Sequence, residues 1–248
     1  HVAIMQGTKA YGAHVHPVTL PLIEDAPRDP HPNFYWLQED YVREAGAREG
    51  WAWTIFRPQI VFGGAWGVVM NPIPVIGAFA AICREEGVPC GFPGAHVALW
   101  EATDARLIAE ACVWAATSER ARNQTFNITN GDVFVWEHIW PAIAKSLGMR
   151  PGGHVPLSLD REIRPREAEW ETIRTRYGLR SGNLRDFVGL SFEYADYTMG
   201  YGRNEPGPPA IVSTIKLMQA GFTEVMDTEA MFAKHFAEFQ ANRLLPPA

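Results

Sequence analysis

The sequence predicts an α/β protein: the later part of a doubly wound parallel sheet followed by a mostly helical region. Three observations carry this. A short apolar run without polar alternation stands at Val2–Met5, as a strand buried on both faces requires, and Thr125–Thr129 reads as a later strand. Amphipathic helical patterns lie between the strand-like runs, which is the βαβ rhythm of a parallel sheet. From Val133 onward the pattern changes to helices. The expected division is residues 1–135 as the α/β part, with an irregular insert over 63–100, and residues 136–248 as the mainly helical domain.

Taken in order, Val2–Met5 is the first strand and leads into Gly7-Thr8-Lys9-Ala10-Tyr11-Gly12. Residues 12–32 hold five prolines and three histidines and read as a loop crossing the top of the sheet. His14 and His16, with no matching carboxylate or third ligand evident, read as solvated loop residues, and no metal is expected. Asn33 is a fair N-cap. Phe34, Leu37, Tyr41 and Ala45 then repeat at helical spacing and form the expected buried stripe of a helix ending around Gly46–Gly50. Tyr35 sits in the first turn, off that stripe. Trp51–Phe56 is strand-like, Pro58 stops it, and Ile60–Phe62 continues extended.

Residues 63–100 are punctuated by glycine and proline, with one short helix expected over Ile76–Arg84. Asp104 caps a helix running to about Thr117, and Thr125–Thr129 is the next strand, closed by Asn130-Gly131-Asp132. Later helices are expected over 137–147, 162–177, 210–220 and 228–243, with Gly152-Gly153 and Ser181-Gly182 in the loops between them. Phe187, Phe192, Tyr194, Tyr197 and Tyr201 form an aromatic cluster that suits either a core or the wall of an apolar pocket.

Composition narrows the function classes. The 248 residues are 47% apolar and 20% charged, a globular balance with ample length for a core. A net charge of −6 argues against general nucleic-acid binding. No apolar run is long enough to span a membrane and no signal peptide is visible, so a cytoplasmic setting is expected. Cys83, Cys90 and Cys112 form no metal or disulfide pattern and read as free thiols. Asn127-Ile128-Thr129 matches a glycosylation pattern by chance. No Gly-x-Gly-x-x-Gly fingerprint follows a strand, and Gly63-Gly64-Ala65-Trp66-Gly67 lacks the Lys-Ser/Thr of a phosphate loop. The chain opens inside a strand, so an upstream segment of roughly a hundred residues is expected to supply the first strands and the nucleotide fingerprint.

In an open α/β sheet, ligands bind beyond the carboxyl ends of the strands. Lys9, Tyr35 and the Arg57–Gly64 segment would converge there. An ordinary short-chain dehydrogenase carries Tyr-x-x-x-Lys on this helix, but the fourth residue after Tyr35 is Glu39. Aligned by its distance to Arg57-Pro58, the helix puts Tyr35 at the usual lysine position and His31 at the usual tyrosine position.

With these residues in place, the chain resembles the progesterone 5β-reductase/iridoid synthase-like enzymes, an atypical branch of the extended short-chain dehydrogenase/reductases. The likeness rests on Gly7–Gly12 with Lys9, Asn33-Phe34-Tyr35 with Glu39-Asp40, Arg57-Pro58 with Phe62-Gly63, and Ala80-Ala81-Ile82-Cys83 with Glu86-Gly87. It continues through Asp104, Leu107-Ile108-Ala109-Glu110, Trp114-Ala115-Ala116, Phe126-Asn127 and Asn130-Gly131-Asp132-Val133-Phe134. It covers most of residues 1–147 and weakens after about 150. Trp36 departs from the family's second tyrosine, and a proline usual after the Lys9 segment is missing.

The resemblance implies a Rossmann-type fold lacking its N-terminal half, a helical substrate-binding domain, and reduction of the activated C=C bond of an apolar enone. It implies NADPH as cofactor, with NADH as the alternative, Lys9 and Tyr35 as catalytic residues, and a homodimer as one assembly. Gly7, Thr8, Lys9, Arg57, Pro58, Gln59, Ile60 and Val61 would hold the cofactor. Tyr35, Trp36, Met70, Phe192, Tyr194 and Tyr197 would meet the substrate. Lys9, as a nearby cation, is expected to favour phenolate character in Tyr35. The rivals are a ketoreductase, dehydratase or nucleotide-sugar epimerase on the same fold, and a non-catalytic NADPH-binding regulator.

Overall fold

The structure, a computed structural model, describes residues 1–95 and 98–248; residues 96 and 97 of the expected insert lie outside the described residues. The chain runs β1 (Val2–Met5), a 3-10 turn (Thr8–Tyr11), α1 (Phe34–Glu49), β2 (Trp53–Pro58), β3 (Ile60–Phe62) and α2 (Pro72–Glu85). Next come β4 (Cys90–Phe92), β5 (Ala102–Asp104), α3 (Ala105–Thr117), β6 (Gln124–Ile128), α4 (Trp136–Ser146) and β7 (Pro151–His154). The rest is helical: α5 (Leu159–Glu162), α6 (Glu167–Tyr177), α7 (Leu184–Val188), α8 (Phe192–Thr198), α9 (Ile215–Ala220) and α10 (Thr228–Ala241).

These elements form two units, but not with one boundary near residue 135. The first contains residues 1–61, 100–133 and 208–226, and the second contains 62–99, 134–207 and 227–248. The chain crosses between units several times because α2 within the insert is apolar throughout and needs a core of its own. Every residue from Pro72 to Cys83 is buried. Among the described residues, no helix is long and apolar enough to cross a membrane.

In the first unit, β1, β2 and β6 make a parallel sheet in the order β1-β2-β6. Its register aligns Met5 with Phe56 and Phe56 with Phe126. The residues one step beyond, Gln6, Arg57 and Asn127, therefore share the carboxyl edge. One core packs α3 and α9 against β2 and β6 through Phe56, Leu107, Ala111, Phe126, Ile128 and Leu217. A smaller one joins Val42 of α1 to Trp53 and Ile55.

Two sequence expectations change here. β1 is an edge strand among the described strands, so its residues are not buried on both faces, and Val2 and Met5 are exposed. On α1, Phe34, Leu37 and Tyr41 are 62%, 73% and 67% exposed, while Glu39, Val42, Ala45 and Gly46 face inward. Two contacts set that rotation. Glu39 reaches the buried Arg57, and Gly46 lies so near the chain that a Cβ there would come 2.8 Å from the Trp51 carbonyl oxygen. Apolar spacing alone does not register either contact.

In the second unit, α2 packs with α6, α7, α8 and α10. It begins four residues before its expected start because Asn71 accepts a hydrogen bond from the Ile73 amide and Pro72 opens the first turn. β4 and β7 pair in parallel. Gly152, expected in a loop, is in β7, where a Cβ would meet the Gly91 amide nitrogen at 2.8 Å, so the two backbones approach closely. The expected helix over 162–177 is two helices, α5 and α6, parted around Pro165. A cluster of Phe62, Phe134, Trp136 and Phe232 rings fills the centre. The short helices α7 and α8 were not foreseen.

Candidate active site

The carboxyl edge of the three-stranded sheet positions the candidate residues. After β1 the chain passes Gln6 and Gly7 and turns through the 3-10 segment carrying Lys9 and Tyr11. After β2, which ends at Pro58, it passes Gln59 into β3. The first turn of α1 brings Tyr35 back to this edge. Asn33 caps that turn, accepting from the Tyr35 amide at 3.0 Å.

Gly7 marks where the three segments meet. A Cβ there would stand 3.4 Å from the Pro58 carbonyl oxygen and 3.6 Å from the Tyr35 hydroxyl. The tyrosine hydroxyl therefore lies against the backbone gap between the ends of β1 and β2. Tyr35 is half-buried, and burial raises its phenol above the ordinary value. The expected phenolate character is thus corrected, because among the described residues burial is what acts on the phenol and Lys9 does not offset it. Tyr35 remains a neutral hydroxyl, a hydrogen-bond donor at neutral pH.

Lys9 is exposed, and among the described residues its ammonium makes no hydrogen bond or ion pair. Its backbone is held instead. The Lys9 carbonyl accepts from the Asn33 side-chain amide at 3.0 Å and from the Gly12 amide at 3.2 Å.

Behind the edge lies a buried ionic brace. Glu39 is 2% and Arg57 5% exposed, and Arg57 Nη2 donates to Glu39 Oε1 at 2.8 Å. Arg57 Nε donates to Gln6 Oε1 at 3.1 Å, and Gln6 Nε2 donates to the Tyr35 carbonyl at 3.3 Å. The Arg57 guanidinium also covers the Tyr11 ring, and Tyr11 donates to Asn127 at 2.6 Å. Arg28 from the loop adds a 2.9 Å pair to Glu39 and lies over the Trp36 ring. Arg57 was expected to hold cofactor, but its side chain is spent bracing the edge. Gln59 is likewise occupied, donating to the Ala210 carbonyl. Ile60 is core, and Thr8 and Val61 are half-buried.

Of the expected substrate residues, Trp36 is half-buried, and its indole N–H has no partner among the described residues. The others belong to the second unit. Met70 is exposed with a positive φ of 65°. Phe192 is 1% exposed and packs in the core, whereas Tyr194 stacks on the exposed Tyr197, with burial pushing its phenol up.

Sequence reasoning missed Gln6, Arg28 and the ionic role of Glu39. Glu39 stood out as the failed lysine position and as part of the resembling Glu39-Asp40 pair, neither of which announces an ion pair, and Gln6 and Arg28 carried no pattern. The loop histidines also differ from expectation, since Asp29 supplies a carboxylate between His16 and His31. Among the described residues no group could hold a metal ion. Asn127 is fully buried, so its glycosylation pattern is unusable as folded.

A parallel sheet with helices packed on it is a Rossmann-type α/β arrangement, and Tyr35 stands at the carboxyl edge where such sheets place their ligands. The chain matches the PRISE-like Rossmann-fold domain over residues 1–246, and it belongs to that family. It is 32% identical to an (S)-8-oxocitronellyl enol synthase of Antirrhinum majus, over 99% of this chain and 65% of the relative. It is also 32% identical to a 3-oxo-Delta(4,5)-steroid 5-beta-reductase of Arabidopsis thaliana, over 99% of this chain and 64% of that protein. The chain thus spans about two thirds of the length of these curated relatives. Among solved structures it is similar in fold to a UDP-N-acetylglucosamine 4-epimerase from Methanobrevibacter ruminantium, with TM-score 0.60 and 13% identity. That match covers 96% of this chain and 62% of the epimerase. It is also similar to RMD from Pseudomonas aeruginosa complexed with NADPH, with TM-score 0.56 and 12% identity, over 97% of this chain and 66% of the other.

Proposed function

We propose that the protein reduces the activated C=C bond of apolar enones with NADPH, and that Tyr35 stabilises the enolate formed. The observation that carries this is the Tyr35 hydroxyl beside Gly7 and Pro58, kept neutral by burial. A neutral phenol donates a hydrogen bond to an oxygen gaining charge, which is the part of an oxyanion-hole donor. The steroid reductase is named for a 3-oxo-Delta(4,5) substrate, a carbonyl conjugated with a double bond.

The cofactor fits the residues present. Gly7 leaves open the space a Cβ would fill beside Pro58 and Tyr35, and a flat ring edge can approach backbone there. Gly7, Thr8, Lys9 and Pro58–Val61 would hold it, chiefly through backbone, and the exposed Lys9 ammonium would reach its hydroxyls. When bound, such a cofactor would supply the hydride that adds to the β-carbon of the enone. Tyr35 then holds the enolate oxygen, and a solvent proton completes the product at the α-carbon. Trp36, half-buried beside Tyr35 in the first turn of α1, would shape the apolar side of the site.

Ketoreductase or epimerase chemistry in the usual pattern requires lysine where Glu39 stands, and Glu39 is buried against Arg57. The test offers 2-cyclohexen-1-one, a Δ4-3-ketosteroid and a saturated ketone, each with NADPH or NADH. Enone consumption with the saturated ketone untouched is expected. Tyr35→Phe should lower kcat and kcat/KM together by about 10²–10³, the scale for one oxyanion donor, with NADPH binding kept. Wild-type rates in that variant on every enone would remove Tyr35 from the chemistry.

A further inference from the structure

We propose that His31, held by Asp29 and engaging Asn33, is a positioning residue that fixes Lys9 and the first turn of α1 relative to one another. This rests on the enone-reductase reading for its kinetic consequence and on the structure alone for its chemistry.

The segment Asp29-Pro30-His31-Pro32-Asn33 is stiff by composition. Each proline fixes its own φ and pushes the residue before it toward extended backbone. The Asp29 carboxylate turns back on this segment: its Oδ1 accepts from the His31 amide at 3.1 Å and lies 2.5 Å from His31 Nδ1. On the other side of the ring, His31 Nε2 lies 3.2 Å from Asn33 Nδ2.

Donor and acceptor rules settle where the protons sit. The Tyr35 amide is a donor, so the atom of Asn33 facing it is the oxygen. The Asn33 nitrogen then has two hydrogens, one directed at the Lys9 carbonyl and one at His31 Nε2. His31 Nε2 must be the acceptor, and the ring proton is on Nδ1, toward Asp29. His31 is thus neutral, in one tautomer. The chain of bonds runs from the carboxylate through the imidazole and the amide to the Lys9 carbonyl and the Tyr35 amide.

The far end of the chain is anchored too. Asp29 Oδ2 lies 2.6 Å from His16 Nε2, and His16 Nδ1 faces the Pro17 carbonyl at 3.0 Å. With acceptors on both sides, His16 favours its doubly protonated form, and the bonds from His31 and His16 hold the Asp29 carboxyl down at about 2. Gly12 makes this possible. It has a φ of 73°, and a Cβ would fall 2.5 Å from Asp29 Oδ2 and 2.7 Å from His16 Nε2. His14 and Trp36 pack edgewise against the His31 ring. Both ring nitrogens of His31 are therefore committed, so it presents no proton to a substrate. Its effect reaches the site through Asn33.

The test uses the full-length protein with two independent readouts. Ring 15N NMR of His31 should show a protonated Nδ1 and a bare Nε2, and Asp29→Ala should shift it toward protonated Nε2. In the enone assay, His31→Leu should lower kcat about tenfold, the scale of one neutral hydrogen bond or about 1.4 kcal/mol. His31→Gln, whose side-chain oxygen can accept from Asn33, should recover most of that loss. A protonated Nε2 in the wild type overturns the proposal. So does equal loss, or no loss, in the Leu and Gln variants while Tyr35→Phe remains impaired. If the wild type reduces no enone, the enone reading and His31's kinetic role fall together, and the tautomer stands or falls on the spectrum.

Discussion

Replacing Glu39 with alanine should be among the most damaging single changes in this chain, and the structure supplies the magnitude. Glu39 is 2% exposed and, among the described residues, is the carboxylate paired with the buried Arg57 guanidinium, at 2.8 Å. Removing it leaves Arg57 charged and buried, with Gln6 and the Tyr11 ring as partners. Breaking a buried pair from one side costs about 3–5 kcal/mol, a large part of the roughly 5–15 kcal/mol that holds a domain together. With a urea m-value near 2 kcal/mol/M, the midpoint should fall by about 1.5–2.5 M. Arg28→Ala is the control: Arg28 is an exposed partner of the same carboxylate, worth about 1 kcal/mol or less. The double variant Glu39→Leu with Arg57→Met should lose less than Glu39→Ala, because no orphaned charge remains. Urea unfolding of the four proteins, followed by circular dichroism, measures all of this. A Glu39→Ala loss under about 1 kcal/mol, equal to that of Arg28→Ala, would refute the buried-brace argument.

Other expectations follow from the same structure. Burial pushes the Glu101 carboxyl up to about 7, and its Oε2 accepts from the Val212 amide at 2.8 Å. The folded state then keeps a proton that the unfolded chain releases near 4.5, so Glu101 withdraws stability as pH rises between those values. The difference is on the order of 3 kcal/mol by pH 8. Glu101→Gln should therefore flatten the decline in Tm from pH 5 to 8, and an unchanged slope would show that Glu101 ionises normally. Gly46→Ala should destabilise although alanine is the better helix former by about 1 kcal/mol, since its Cβ would meet the Trp51 carbonyl oxygen at 2.8 Å. A higher Tm in that variant would mean that the contact relaxes freely. Lys9→Met should raise KM for NADPH without lowering Tm, because the ammonium has no partner to lose among the described residues; an unchanged KM would remove Lys9 from cofactor binding.

The sequence by itself determined what depends on neighbours along the chain. Strand β2 with its closing Pro58, the Asn33 and Asp104 caps, and β6 before Asn130-Gly131 are set by propensity, capping and turn chemistry acting within a few residues. The same local motifs were enough to single out Lys9 and Tyr35 and to place the chain in its family. Tertiary structure decided what depends on residues distant in sequence. Which side of α1 is buried follows from Glu39 meeting Arg57 and from Gly46 meeting Trp51, and neither is visible to a count of apolar spacing. The division into units follows from the buried α2 and from where its packing partners lie, not from the order of helices and strands. The state of Tyr35 was misread for the same reason. A lysine expected at the same carboxyl edge suggested a cation beside the phenol, but the fold turns that lysine to solvent and ties down only its carbonyl, while burial raises the phenol.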